Sequence, residues 1–527
     1  MNDKTKKTLC ILAGCCFSLL FILTVFSPGN VDPTSLDWVI KGGGDNLQHY
    51  MGWRFYRDSG WNRYILFMRN LNYPVGTSVI VTDSNPLFCL LFKLLNPILP
   101  EQFQFNGIWI IFSYLLLSFF SAKIGWHLTG KMSLTISGVL ISVLNPVVLQ
   151  RALIHDTLTA HWLILAAIWL SLNYKKRWNK PGWFILTELT LLIHIYFVPM
   201  VAFVFCLQMI YMAVKKEPII NILAVLSVLL ISLLLGYFVF GYSHILPQSG
   251  SYGELSMNLN AFINPDSIPS LLSPRPIMPL QYEGFNYWGL GLLCLFITGM
   301  IIGNRRFIYY ILPYITPVIV LLILAVSNHA FFDLKNIYNI ALPESIESFL
   351  SIFRSSGRLV WPLYYLAIFL SIYILSHYGK NYKIIEILVV LFALLQFFDL
   401  KDFYVQTSER FRQPSNSMAE LPDEIDKLVR EKKINHLYCS NGDSKTVDSF
   451  ALFAADHQLT FNQIASARNI EHVYGGDPVE MNDLQCGQIK SDSMFVYLSP
   501  KDLPDVLDRC PDASNISIDN MIIIMKK

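Results

Sequence analysis

Charge is what this sequence has least of. Only 15% of its 527 residues are Asp, Glu, Lys or Arg, against about 25% in an ordinary soluble domain, while 53% are hydrophobic. A soluble fold of this length cannot hide that much apolar surface. The sequence also lacks a phosphate-cradling P-loop and a dinucleotide fingerprint, which disfavours ATP drive and a soluble nucleotide donor. It has no low-complexity segment and no internal repeat of the kind many secondary transporters carry. The net charge of +2 says little about partners, and no nucleic acid is expected among them.

Cysteine is scarce where it would count. Of nine cysteines, six (Cys10, Cys15, Cys16, Cys89, Cys206, Cys294) lie in or beside apolar runs without metal-ligand spacing and read as small core residues. The other three, Cys439, Cys486 and Cys510, fall in a polar tail. In an oxidising compartment one pair of them can join, leaving the third. The N-terminal apolar run lacks a small-x-small cleavage site and is longer than a signal core, so it is expected to be an uncleaved first span.

Long apolar runs are abundant. They lie near residues 8–27, 107–126, 131–149, 157–174, 183–214 (a tight pair hinged near His194, Tyr196 and Pro199), 219–242, 286–303, 307–327, 359–377 and 383–399. The expected fold is an all-α polytopic membrane protein of about eleven transmembrane helices with a small α/β C-terminal domain. The short basic connections (Lys4–Lys7, Lys131, Lys175–Lys180, Lys215–Lys216, Arg305–Arg306, Lys380–Lys383) fall on one side if residues 86–100 form a re-entrant segment and the N-terminus is cytoplasmic. Residues 1–400 are then a membrane domain with a first outer loop at 29–85. Residues 401–527 form a separate outer domain, with a helix at Pro422–Lys433 and strands at Asn435–Cys439, Met494–Leu498 and Met521–Met525.

Polar residues collect in four clusters expected on the outer face. In the first loop, Lys41-Gly-Gly-Gly-Asp45 leads into Gln48-His49-Tyr50, and Thr82-Asp83-Ser84 precedes residue 86. An acid at such a helix start either caps the helix or acts as a base, and Asp83 can equally be a turn residue. The second cluster runs from Arg151 through His155-Asp156 to His161. Ionisable residues at membrane depth are costly and point to function, but the lack of a His-x-x-x-His pattern argues against a metal centre, leaving a divalent cation open. The third, Arg354-Ser355-Ser356-Gly357-Arg358, suits phosphate binding or headgroup anchoring. The fourth, Tyr282-Glu283-Gly284-Phe285-Asn286-Tyr287, offers an acid, an amide and rings for a sugar, or an aromatic belt.

These motifs resemble the GT-C superfamily of polyprenyl-phosphate-sugar-dependent glycosyltransferases, over roughly residues 8–400. Gly44-Asp45 with Gln48-His49-Tyr50, Tyr73-Pro74-x-Gly76-Thr77, Thr82-Asp83-Ser84 and the third and fourth clusters are similar to those of bacterial membrane proteins placed in that superfamily. The resemblance implies a catalytic base at Asp45, with Asp83 or Asp156 as a second carboxylate because Asn46 replaces the adjacent acid of many relatives. It implies donor-phosphate ligands among Arg354, Arg358, Ser356 and Arg151. Sugar or acceptor contacts fall to Gln48, His49, His155, Glu283, Asn286 and Tyr287. The substrates implied are a polyprenyl-phosphate-linked sugar and a glycan acceptor, with inversion at the anomeric carbon. The overall plan is shared with the serotype-converting glucosyltransferases that modify O-antigen in the bacterial inner membrane, with a periplasmic C-terminal domain. A lipid-linked sugar flippase or secondary transporter, and a non-catalytic assembly component, are the alternatives.

Overall fold

The computed structural model describes residues 2–42, 44–246, 252–303, 305–412, 418–463, 469–470, 478–499, 503 and 509–527. Gly43 of the glycine run, and the side chains of Lys41, Arg305 and Arg306, lie outside the described residues. The chain is mostly helical, with a small C-terminal sheet, and it divides into two compact units.

The first unit, residues 1–35, 104–236 and 247–413, is a helical body. Every apolar run of the sequence becomes helix, and the 183–214 run is a pair, Asn179–Ile193 and Phe197–Val214, broken at His194. Six helical stretches among the described residues are long and apolar enough to cross a membrane: Asp3–Phe26, Asn106–Thr129, Met132–Ile154, Phe197–Val214, Ile219–Val239 and Ser356–Tyr378. That makes the chain a membrane protein. The rest of the expected eleven are shorter or more polar: Trp162–Leu172 has 11 residues and Leu290–Ile302 has 13, too few to span about 30 Å of hydrocarbon alone. Tyr382–Arg412 is long, with 31 residues, but carries charge along its second half.

Small residues let these helices approach. A Cβ on Gly14 would collide with Val139, one on Gly138 with Ile372, and one on Gly291 with the backbone of Phe392. Close backbone contact of this kind is how helices associate where lipid supplies no hydrophobic drive. Buried Asp399 ties the body further. Its carboxylate accepts from Ser270 Oγ (2.6 Å), Tyr287 Oη (2.8 Å) and the amides of Leu271 and Leu290 (2.9 Å each).

The second unit joins residues 36–103, 237–246 and 414–527, so the first loop folds with the tail. The expected division at 400/401 falls inside helix Tyr382–Arg412. The reason lies in backbone pairing. A mixed five-stranded sheet runs in the order Ala513–Ile518, Met521–Lys526, Ser493–Tyr497, His436–Cys439, Thr460–Phe461. Its last strand pairs with the loop, because Tyr73 N–H donates to Phe461 O and Phe461 N–H to Asn70 O, both at 2.9 Å. Buried Arg54 adds an ion pair to Asp456 at 3.2 Å, and the Tyr73 ring stacks on His436. The tail elements match the sequence reading, with helix Asp423–Lys432 and three strands where alternation placed them. Cys486 and Cys510 form a disulfide, and Cys439 stays a buried free thiol.

Candidate functional site

Three short elements of the helical body bring buried charged side chains together. Helix Pro146–Ile154 starts sharply because Asn145 caps it (Oδ1 to Val147 N, 2.9 Å) and Pro146 fills a first-turn position, where a missing N–H costs nothing. Its last turn holds Arg151, fully buried. The 3₁₀ turn Pro279–Gly284 carries Glu283, and the 3₁₀ turn Ser356–Val360 carries Arg358.

Two glycines bring these elements together. A Cβ on Gly357 would lie 2.5 Å from the Cα of Gly284, so only glycine permits this approach. The Asn286 amide then donates to the carbonyls of both Gly284 and Gly357, each at 2.8 Å. With the backbones fixed, Glu283 Oε2 accepts from Arg151 Nη1 (2.9 Å) and from Arg358 Nε (3.0 Å) and Nη2 (2.6 Å), and the Glu283 carbonyl accepts from Arg151 Nη2 (3.2 Å). Burial by itself would raise the Glu283 pKa, but the two guanidinium groups outweigh it and hold the carboxyl well below the usual range. Arg354, half-buried, has no carboxylate partner among the described residues.

Around this cluster lie two histidines. His155 ends helix Pro146–Ile154, His194 ends helix Asn179–Ile193, and their buried rings approach to 5.2 Å between centroids. Tyr196 follows. Its hydroxyl accepts from Ser355 N–H (2.9 Å), and Arg358 lies 5.0 Å from its ring centroid. Two imidazoles drawn from different helices can give nitrogen ligands to a divalent cation. His161 sits deeper, stacked on Trp361 and bonded through Nδ1 to the Tyr365 hydroxyl (2.9 Å). It helps line a small cavity with Asn145, Asn286 and Tyr364.

Arg151, Glu283 and Arg358 are therefore brought into contact, with Arg354, His155 and Asp156 on the same elements or their neighbours. Several of the candidates have protein partners that the sequence does not show. Glu283, expected to bond a sugar, is the counter-ion of two arginines. Tyr287, expected as a sugar contact, is fully buried with its hydroxyl on Asp399. Ser356, expected on phosphate, donates to the Ala325 carbonyl at 3.2 Å. Asp156 is buried and accepts from Asn106 Nδ2 at 2.7 Å, which fixes the turn after His155. Asn286 braces backbone. Each pairing has one cause: a buried polar group must find a partner, and the nearest partner is invisible in one dimension. The sequence marks His194 and Tyr196 as a hinge; a histidine and a tyrosine at a break in an apolar run are the signal for more.

The remaining candidates belong to the second unit. Asp45 is exposed in the first turn of helix Gly44–Asp58, with Gln48 half-buried and His49 buried one turn on. Asp83 has a left-handed backbone (φ 54°), as does Asn85 (φ 52°), a conformation uncommon for residues other than glycine. Gly52 of that helix faces the turn, for a Cβ there would strike the hydroxyls of Thr82 and Ser84, so the helix and the Asp83 turn are packed as one piece.

No curated protein matches the chain. It belongs to the family described as a domain of unknown function (DUF6311), which matches residues 15–401.

Proposed function

We propose that this DUF6311 protein is a membrane glycosyltransferase of GT-C type that moves a sugar, best taken as glucose, from a polyprenyl-phosphate carrier to a glycan acceptor such as O-antigen. The proposal includes eleven crossings, residence in the bacterial inner membrane with the N-terminus cytoplasmic, and a periplasmic tail domain. One observation carries it: Arg151 and Arg358 converge on Glu283 in an apolar helical body, and Arg354, four residues before Arg358, has no carboxylate partner among the described residues. A polyprenyl phosphate is the kind of anion that reaches such a place through lipid, and arginine binds its oxygens two at a time.

In the proposed reaction the acceptor hydroxyl oxygen attacks the anomeric carbon. The bond from that carbon to the phosphate oxygen breaks, and the electron pair leaves on the lipid phosphate, where Arg354 and Arg358 stabilise it. The hydroxyl proton passes to a carboxylate, assigned to Asp45, and a single displacement inverts the centre. Arg151 and Glu283 position Arg358. A divalent cation held by His155 and His194 would add charge stabilisation.

The test is transfer of labelled sugar from polyprenyl-phosphate glucose in membranes holding the wild type, Asp45→Asn and Arg354→Ala. Loss of transfer in both variants at unchanged protein level is expected. Full transfer by Asp45→Asn would remove it as the base. Movement of lipid-linked sugar across the bilayer without any transfer by the wild type would replace the enzyme by a flippase.

A further inference from the structure

A second set of cations gathers at the other end of the helical body. Lys7 lies near the start of helix Asp3–Phe26, Lys123 and His127 near the end of Asn106–Thr129, and Trp169 near the end of Trp162–Leu172. Lys123 is 17 residues from Asn106, the partner of Asp156, which is roughly 25 Å of helix. The glycosyl-transfer reading makes no use of these side chains.

All of them meet on one indole. Lys123 Nζ lies 4.5 Å and Lys7 Nζ 5.8 Å from the Trp169 ring centroid, and the His127 ring meets it edge-on at 5.7 Å. Both lysines are half-buried. The charged neighbours acting on Lys123 and His127 are Lys7 and Lys176, cations all. No acid pairs with Lys7 or Lys123 among the described residues, whereas Lys175 at the same end does have one, Glu217 at 3.1 Å. An indole face attracts cations but supplies no counter-charge, so two half-buried ammonium groups held together need an anion.

We propose that this cation cluster binds the phosphate of an anionic membrane lipid. Phosphate matches several converging donors and a charge deficit. A lipid rather than free phosphate is favoured by position: Lys7 lies in the first turns of Asp3–Phe26 and Lys123 in the last turns of Asn106–Thr129, both helices long and apolar enough to cross a membrane, and the ends of such helices lie at headgroup depth. Cations at that depth are the chemistry of headgroup recognition.

The test is native mass spectrometry of the full chain released from detergent, titrated with phosphatidylglycerol, phosphatidylcholine or inorganic phosphate. Phosphatidylglycerol should be retained in preference to phosphatidylcholine. Lys7→Ala and Lys123→Ala should each weaken it about fivefold, while Lys7→Arg, Lys123→Arg and the exposed Lys180→Ala should not. A double alanine variant that binds like the wild type would overturn the site, and inorganic phosphate binding as tightly as the lipid would overturn its assignment to lipid. Should the alanine variants fail to fold, a headgroup-photoactivatable phosphatidylglycerol on the wild type decides. Adducts on peptides holding Lys7 and Lys123 support the site, and adducts confined elsewhere reject it.

Discussion

Gly284 and Gly357 touch backbone to backbone, 2.5 Å separating the Cα of one from where a Cβ of the other would stand. Their chain neighbours Glu283 and Arg358 are thereby forced together, 75 residues apart in sequence. The charge cluster of the helical body thus depends on two positions without side chains.

Gly357→Ala is accordingly expected to do more than fill space. The obstacle is backbone, which cannot swing aside, so overpacking should cost about 1–3 kcal/mol and separate Glu283 from Arg358. Thermal unfolding in detergent should show the loss, and sugar transfer should fall with it. An unchanged melting temperature would mean the two turns are not in contact.

Glu283→Gln and Arg354→Ala should part company. The first strands two buried guanidinium groups, and breaking a buried pair costs about 3–5 kcal/mol. The second removes a cation with no carboxylate partner among the described residues, so stability should stay within about 0.5 kcal/mol. Its effect should be on the lipid-phosphate donor, with kcat/KM down about 10- to 100-fold for the loss of one charge-assisted contact. Paired melting curves and transfer kinetics separate the outcomes.

Two carboxyls predict opposite pH behaviour. Glu283 is held below the usual range, so its pairing is complete above the unfolded value, near 4.5, and is lost only in stronger acid; no limb of the activity profile between pH 5 and 9 should arise from it. Asp448 in the tail is pushed up to about 6, by burial and then by Asp443. The native state there binds the extra proton, so stability should fall as pH rises from about 4 to 6. Hydrogen exchange along helix Ser444–Asp456 should quicken across that window, and Asp448→Asn should abolish the dependence.

Reducing the Cys486–Cys510 bridge should loosen the tail. It closes a segment of 24 residues, and releasing such a loop in the unfolded chain costs roughly 3 kcal/mol. Protease nicking of the tail before and after reductant is the measurement; equal rates would leave the bridge without a stabilising role.

Sequence alone determined the helices, because a run of apolar residues is read by lipid one residue at a time and needs no partner. The pair hinged at His194 and the tail's helix and strands were legible for the same local reason. So was the type of residue in each cluster, Glu283 and Arg358 included. Tertiary structure decided who meets whom. Glu283 meets two arginines, Tyr287 meets Asp399, and the first loop extends the sheet of a tail several hundred residues away. Each of these follows from the need of a buried polar or backbone group for a partner, and such a partner is chosen by distance in space, which the order of residues does not encode.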